Sequence, residues 1–205
     1  MVEPRQSRTS QTRRLALYTA LSALIVVCTM VGHAYPRLPQ KSTAEDLDGK
    51  TLDPFAASAS RVIVLLFVRT DCPISNRYAP LLQKMSEKFR GRANFWLVYP
   101  DRAETASQIK AHLQDYHYSI AAVRDTGHTL VRLAQATITP EAAVFDSSGR
   151  LLYHGRIDNW YEDFGRSRPA ATTHELDDAI TSAIAVKPIH PDHANAVGCY
   201  ISDLT

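Results

Sequence analysis

The residue of this chain that most suggests chemistry is a cysteine between two segments of different periodicity. The run RVIVLLFV, residues 61–68, is apolar and β-branched, which is typical of a strand buried on both faces. Cys72 follows it, and an apolar stripe of helical spacing begins at Tyr78. A thiol at a helix start faces unpaired backbone N–H groups and the positive end of the helix dipole. We therefore expect Cys72 to be nucleophilic and to titrate below about 8.5.

The neighbours of Cys72 support this interpretation in part. Pro73 suits the first helical position, where no N–H is needed, and Ser75 can donate a hydrogen bond to a thiolate. Asp71 acts in the opposite direction, because an adjacent carboxylate disfavours a second negative charge. Ser75 also stands where a second cysteine would complete a two-cysteine motif, so this segment cannot resolve a mixed disulfide by itself. The alternative is a buried structural cysteine.

Cys199, in the segment IHPDHANAVGCYISD, is the second thiol of interest. It could form a disulfide with Cys72 or resolve its mixed disulfides, since the dozen or so residues before it can extend about 40 Å. Gly198 would ease a close approach of the backbone. His190, His193 and Cys199 form an alternative set of ligands for zinc or copper. Histidines in a polar tail are more often only solvated.

The remaining periodicity predicts strands and helices in alternation, followed by a hairpin and a last helix. This order indicates a mixed sheet with helices on both faces. Thr172 and Glu175 predict a capping box at the start of the last helix, and the segment after residue 186 is expected to be irregular. The predicted strands are 61–68, 93–100, 118–125, 141–146 and 151–157, and the predicted helices begin near 73, 103, 127 and 173.

Three segments together resemble the redoxin, or peroxiredoxin-like, branch of the thioredoxin superfamily: FVRTDCPISNRYAP, TPEAAVFDSSGRLLYHGRID and GCYI. The resemblance covers roughly residues 45–190. It implies a thioredoxin-like three-layer α/β fold with a mixed central sheet. It also implies that Pro140 is cis and lies against the active thiol, and that Thr139 offers backbone groups to an incoming thiol or peptide. Asp158, Trp160 and Tyr161 follow the hairpin and could rim the site.

Two departures from the family patterns limit the functional interpretation. Peroxiredoxins that reduce peroxide resemble P-x-x-x-T-x-x-C, and here Arg69 stands where the threonine belongs. Disulfide oxidoreductases resemble C-x-x-C, and here the second position is Ser75. The leading hypothesis is a thiol–disulfide oxidoreductase acting on protein or small-molecule thiols and disulfides, without a cofactor. The alternatives are a non-enzymatic copper-binding or assembly protein and a thiol peroxidase.

The N-terminus predicts export. Residues 15–32 contain no charged side chain and follow an arginine-rich segment, which indicates a signal peptide or a membrane anchor in residues 1–34. The rest would then lie on the periplasmic side of the inner membrane, as a linker (35–45), a redoxin domain (46–187) and a tail (188–205). The net charge of only +2 gives no electrostatic case for nucleic acid.

Overall fold

The strand that precedes Cys72 forms the centre of the sheet. In the computed structural model, which describes residues 42–56, 60–202 and 204, Val62–Phe67 is buried along its whole length. It pairs in parallel with Ala93–Tyr99 on one side and antiparallel with Glu141–Asp146 on the other. Other elements cover both faces of this strand, which explains why its sequence is apolar at every position.

The sheet is mixed, as the sequence predicts. The strands of the described residues are β1 (Ala44–Glu45), β2 (Thr51–Leu52), β3 (Val62–Phe67), β4 (Ala93–Tyr99), β5 (Ala121–Arg124), β6 (Ile138–Thr139), β7 (Glu141–Asp146), β8 (Leu151–Gly155), β9 (Tyr161–Asp163), β10 (Arg166–Ser167), β11 (His193–Ala194) and β12 (Cys199–Tyr200). Eight of them form the main sheet in the order β11-β8-β7-β3-β4-β5-β1-β2, with β3, β4 and β5 parallel. The helices are α1 (Pro73–Lys88), α2 (Ala106–Asp115), α3 (Thr129–Ala134) and α4 (Glu175–Ile184).

Helices cover both faces of the sheet, so the predicted three-layer architecture is confirmed. Alternate residues of β3 point to opposite sides, and each side has its own apolar cluster. Leu82 of α1 and Ile180 of α4 belong to one cluster, and Val131 of α3 belongs to the other. Full burial of such an aliphatic side chain contributes about 1.5–3 kcal/mol, so these contacts fix α1 on the sheet.

The predicted capping box at the start of α4 does not form. Glu175 instead forms an ion pair with Arg156, and Thr172 accepts a hydrogen bond from Asn159 at 2.7 Å. Both side chains are therefore engaged in tertiary contacts and cannot cap the helix end. A capping box does occur at α2, between Thr105 and Gln108.

The sheet extends beyond the segments that the sequence indicated. The expected linker contributes Ala44–Glu45, which pairs with Thr51–Leu52 around a turn, and the expected irregular tail contributes β11 and β12. Strands of two residues carry too little periodicity to be recognised in a sequence. The small hairpin of β9 and β10 escaped prediction for the same reason.

The predicted signal peptide or anchor lies outside the residues that the structure describes and stays a prediction. Within the described part of the chain, no helix combines the length and the apolar character needed to cross a membrane.

Candidate functional site

Cys72 is the residue that immediately precedes α1. Its backbone is extended (φ −82°, ψ 111°), its carbonyl accepts the N–H of Asn76 at 3.0 Å, and Pro73 begins the helix. The predicted position of the thiol at a helix start is therefore correct. The thiol is nevertheless buried, because Cys72 has 0% relative exposure. Two other segments of the chain meet its sulfur and exclude solvent from it.

The first of these segments contains the cis proline. The Thr139–Pro140 bond is cis, as the resemblance implied, and Thr139 is fully buried. The Cys72 thiol donates a hydrogen bond to the Thr139 carbonyl at 3.2 Å. When Cys72 is protonated, its S–H therefore points towards β6 and is accepted by the Thr139 carbonyl.

The second segment is the tail, which returns to the same place. Cys199 of β12 lies opposite Thr139 of β6 in an antiparallel pair, and the Thr139 hydroxyl donates to the Cys199 carbonyl at 3.3 Å. Gly198 permits this approach, because a Cβ atom there would lie 2.0 Å from the Thr139 carbonyl oxygen. The expected role of Gly198 in a close backbone approach is therefore confirmed. Both cysteines are free thiols.

The two thiols differ in acidity. Burial alone would raise the pKa of Cys72, but the nearby donors of Cys199 and Ser75, which are their side chains and backbone N–H groups, lower it below the usual thiol value of 9.0. Burial, the hydrogen bond to Cys72 and the charge of Cys72 raise the pKa of Cys199 to about 12. A single proton shared by the pair therefore resides on Cys199.

Ser75 completes this set of donors. The residue is 1% exposed, and its hydroxyl oxygen has no hydrogen-bond partner among the described groups. The same hydroxyl lowers the pKa of Cys72, which places it near the sulfur. A buried hydroxyl without a partner is costly, and a Cys72 thiolate would supply an acceptor for it.

Arg69 and two carboxylates lie beside Cys199. The Arg69 guanidinium forms ion pairs with Asp71 and Asp101, each at 2.9 Å. The positive charge of Arg69 lowers the pKa of Cys199, and the negative charge of Asp71 raises it. The charges at this end of the sheet therefore influence the tail thiol.

A buried network that the sequence did not indicate holds the loop before Cys72. Glu104 accepts the Thr70 N–H at 2.6 Å, and burial raises the pKa of this carboxyl. Asn76 donates to the Thr70 carbonyl at 2.9 Å, so its side-chain oxygen is left to accept from His112 Nε2 at 2.8 Å. His112 Nδ1 then accepts from the Tyr99 hydroxyl, also at 2.8 Å. No local motif marks these residues, because their sequence separations are large.

The residues expected to rim the site lie behind Pro140. Asp158 accepts hydrogen bonds from the Tyr78 hydroxyl at 2.5 Å and from the Trp160 N–H at 2.9 Å. Asp158 and Tyr161 share with Pro140 the lining of a cavity of about 10 Å³, which is room for about one water molecule. Trp160 packs edge-on against Tyr78.

The alternative metal site does not form. His193 of β11 lies opposite His154 of β8, with ring centroids 4.3 Å apart, whereas Cys199 lies on β12 beside β6. Within the described ranges, no group of three or more His, Cys, Asp or Glu residues could hold a metal ion. The proposed ligand set of His190, His193 and Cys199 was therefore wrong, because the tail strands pair with different partners.

The segment that contains both Cys72 and Pro140 is similar to a known protein family. A profile of the thioredoxin-like family matches residues 60–151, which include Cys72 and Pro140. No curated protein matches the chain.

Several solved structures share the architecture. A hypothetical protein from Sinorhizobium meliloti 1021 superimposes with a TM-score of 0.65 and 20% identity, over 78% of this chain and 88% of that chain. MTB DsbF gives a TM-score of 0.51 and 18% identity, over 72% and 94%. The exposed lipoprotein thioredoxin of Streptococcus pneumoniae strain TIGR4 gives 0.51 and 16%, over 70% and 97%. At these identities the similarity concerns the fold.

Proposed function

This chain is a thioredoxin-fold protein, and on that premise we propose that it is a thiol–disulfide oxidoreductase that uses Cys72 and Cys199. Cys72 is the nucleophile, Ser75 stabilises its thiolate, and Cys199 is the resolving thiol. Thr139, Pro140 and Pro73 shape the surface on which the substrate sulfur binds. The substrates are disulfides of proteins or small molecules.

The observation that supports this proposal is that both cysteines meet at Thr139: the Cys72 thiol donates to its carbonyl at 3.2 Å, and Cys199 lies opposite it in the antiparallel pair of β12 and β6. The pKa of Cys72 is lowered and that of Cys199 is raised, so one sulfur is prepared to attack while the other keeps its proton. A structural pair of cysteines has no need of such an asymmetry. The thiolate donors of Ser75 and of the Cys199 backbone act in the same direction.

The proposed reaction has two exchanges of disulfide bonds. The Cys72 thiolate attacks one sulfur of the substrate disulfide, a mixed disulfide forms, and the other substrate sulfur leaves as a thiolate that takes up a proton. Cys199 loses its proton and attacks the Cys72 sulfur, which releases the second substrate thiol. The protein is left with a Cys72–Cys199 disulfide, and an external dithiol must reduce it before the next cycle.

The decisive experiment is disulfide mapping of the purified protein. Mild oxidation of the wild type should give an intramolecular Cys72–Cys199 disulfide, identified by mass spectrometry. The Cys199→Ser variant should instead accumulate mixed disulfides on Cys72 when it is mixed with a disulfide substrate such as insulin. The proposal fails if Cys72 stays unreactive towards insulin in both proteins.

We also propose that the domain is exported, by way of residues 15–32. Two observations support this: the uncharged run itself and the similarity in fold to an exposed lipoprotein thioredoxin. An alkaline phosphatase fusion after residue 45 should be active in bacterial cells, and a fusion to a chain that begins at residue 35 should be inactive. An inactive fusion to the full N-terminus would argue against export.

A further inference from the structure

The tail strand occupies the position from which a sulfur atom reaches Cys72. Cys199 lies opposite Thr139, whose carbonyl is 3.2 Å from the Cys72 sulfur, and the Ile201 N–H donates to the Thr137 carbonyl at 2.9 Å. The tail is thus one more antiparallel strand on β6. With this strand in place Cys72 is fully buried, so no external disulfide can reach the sulfur until the strand moves.

The site on β6 that holds residues 198–201, which we call the seat, imposes a different steric requirement at each position. Position 198 admits no side chain, because a Cβ atom would collide with the Thr139 carbonyl. Position 199 lies opposite Thr139, whose carbonyl accepts from the Cys72 thiol at 3.2 Å, so a cysteine there is beside Cys72. Tyr200 is 78% exposed, so its position tolerates any residue. Ile201 is 5% exposed and belongs to the apolar cluster that includes Val131, so its position requires an aliphatic side chain.

We propose that residues 198–201 are an internal substitute for the substrate, and that the protein selects extended polypeptide segments of the pattern Gly-Cys-x-aliphatic. This inference rests on the proposed thiol–disulfide exchange and adds its substrate class. Such a segment binds β6 in place of the tail through the same backbone hydrogen bonds, with its cysteine in the seat of Cys199 and its aliphatic residue in the seat of Ile201.

The anchoring of the tail allows this exchange to be reversible. Strand β11 stays paired with β8, where the Arg156 N–H donates to the Ala194 carbonyl at 2.9 Å and Gly155 leaves room for that contact. Strand β12 is held by a ladder of two residues, by the Thr139 hydroxyl on the Cys199 carbonyl and by Ile201. A segment that lifts β12 therefore leaves Cys199 tethered close by.

Because β11 keeps the tail attached near the site, the tail can both resolve the mixed disulfide and displace the substrate. The cysteine of the bound segment must itself belong to a disulfide, and attack by the Cys72 thiolate on its sulfur expels the other sulfur as a thiolate. When the tail returns, Cys199 attacks the Cys72 sulfur, and the segment leaves with its cysteine reduced to a thiol. Resolution of the mixed disulfide and release of the substrate are then one event.

Synthetic peptides test the selectivity directly. The Cys199→Ser chain, in which Cys72 is the thiol of the described domain, is mixed with tetrapeptides whose cysteine carries a thionitrobenzoate group. Attack by Cys72 on the peptide sulfur releases coloured thionitrobenzoate. Rates are divided by those with dithiothreitol, which corrects for the intrinsic reactivity of each peptide.

We expect Gly-Cys-Tyr-Ile and its matched control Gly-Cys-Ser-Ile to react at the same rate within about twofold. Val-Cys-Tyr-Ile and Gly-Cys-Tyr-Asp should react at least about tenfold more slowly, because each violates one demand of the seat. Equal rates for all four peptides would overturn the inference and leave the proposed function standing. Absence of release from every peptide would overturn both.

Variants of the tail test whether it competes for the seat. Added to the Cys199→Ser chain, Ile201→Asp or Gly198→Val should expel β12 and speed the reaction with Gly-Cys-Tyr-Ile about tenfold. Tyr200→Ser is the control and should leave the rate unchanged. Circular dichroism verifies that each variant is folded. Unchanged rates in both folded tail variants would show that the tail does not occupy the substrate seat.

Discussion

The two cysteines of the site lie on elements of very different length and anchoring. Cys72 directly precedes a helix of 16 residues and follows a loop held by a buried hydrogen-bond network. Cys199 is on a strand of two residues in the tail. The long helix carries the thiol of lowered pKa, and the short strand carries the thiol whose pKa is raised to about 12.

This difference suits the two roles that we propose for the thiols. A nucleophile benefits from fixed donors around its thiolate, because their arrangement costs no reorganisation at the moment of attack. A resolving thiol has to stay protonated until it is needed and then has to move towards the mixed disulfide. In the proposed function both needs are met without a second cysteine at position 75, since β12 brings Cys199 to the Thr139 segment.

The largest expected effect comes from removing each thiol in turn. Cys72→Ser should lower the rate of insulin reduction at least about 1,000-fold, because no other described thiol is activated. Cys199→Ser should keep the first exchange and lose multiple turnover, since the mixed disulfide then has to wait for an external thiol. Single-turnover and steady-state rates measured on the same preparations separate the two outcomes.

A symmetrical result would contradict the assignment. If both serine variants lost the first exchange equally, the two thiols would have to act as one unit, and the contrast between the long helix and the short strand would have no catalytic meaning.

The next effect concerns the close approach of the tail. Gly198→Ala places a methyl group 2.0 Å from the Thr139 carbonyl oxygen, so β12 has to shift outward. A displacement of about 1 Å can slow a positioned reaction by about 100-fold, and the rate of Cys72–Cys199 disulfide formation should fall by about that factor. Gly127→Ala is the matched control, because the nearest atom to its added Cβ is at 3.8 Å. An equal effect of both substitutions on disulfide formation would argue against the role of Gly198.

A smaller effect is expected from the hydroxyl of Ser75. The thiolate fraction of Cys72 rises as the pH rises through its pKa, and iodoacetamide trapping followed by mass spectrometry of the Cys72 peptide measures the midpoint. The Gly198→Val chain should make Cys72 accessible and remove the donors of Cys199, so it isolates the contribution of Ser75. Adding Ser75→Ala removes a donor to the thiolate and should move the midpoint upward by up to about one pH unit, or about tenfold in rate below it. Ser86→Ala, on the same helix but bonded only to the Gln83 carbonyl, is the control.

A related substitution restores the second cysteine of the C-x-x-C pattern at position 75. Ser75→Cys should create a two-cysteine helix start and increase insulin reduction. It should also make turnover independent of Cys199, so that the double variant Ser75→Cys, Cys199→Ser remains active. If that double variant fails to turn over, position 75 cannot take the place of the tail.

The sequence predicts the central part of this molecule well. The long apolar strands, the helix that begins after Cys72 and the cis Pro140 follow from periodicity and from a local motif, and all are found. The burial of Cys72 does not follow, because the elements packed around it include a tail strand too short to have a pattern. The network of Glu104, Asn76 and His112 was also out of reach, since its members meet only in the folded chain.

The smallest expected effect concerns Arg69, whose charge acts on the tail thiol. Arg69 lowers the pKa of Cys199, so Arg69→Gln should raise it further and slow the attack of Cys199 on a preformed Cys72 mixed disulfide. The change should be only about threefold, because Asp71 and Asp101 already neutralise the guanidinium and because solvent screens the exposed side of the pair. The rate of release of thionitrobenzoate from Cys72 measures this step, and high salt should shrink the difference. Arg132→Gln, on α3 with its guanidinium bonded to the Gly127 carbonyl, should have no effect on that rate. Arg69→Gln should also leave the first exchange at Cys72 unchanged; equal slowing of both steps would mean that Arg69 positions the loop before Cys72, and that its charge does not distinguish the two thiols.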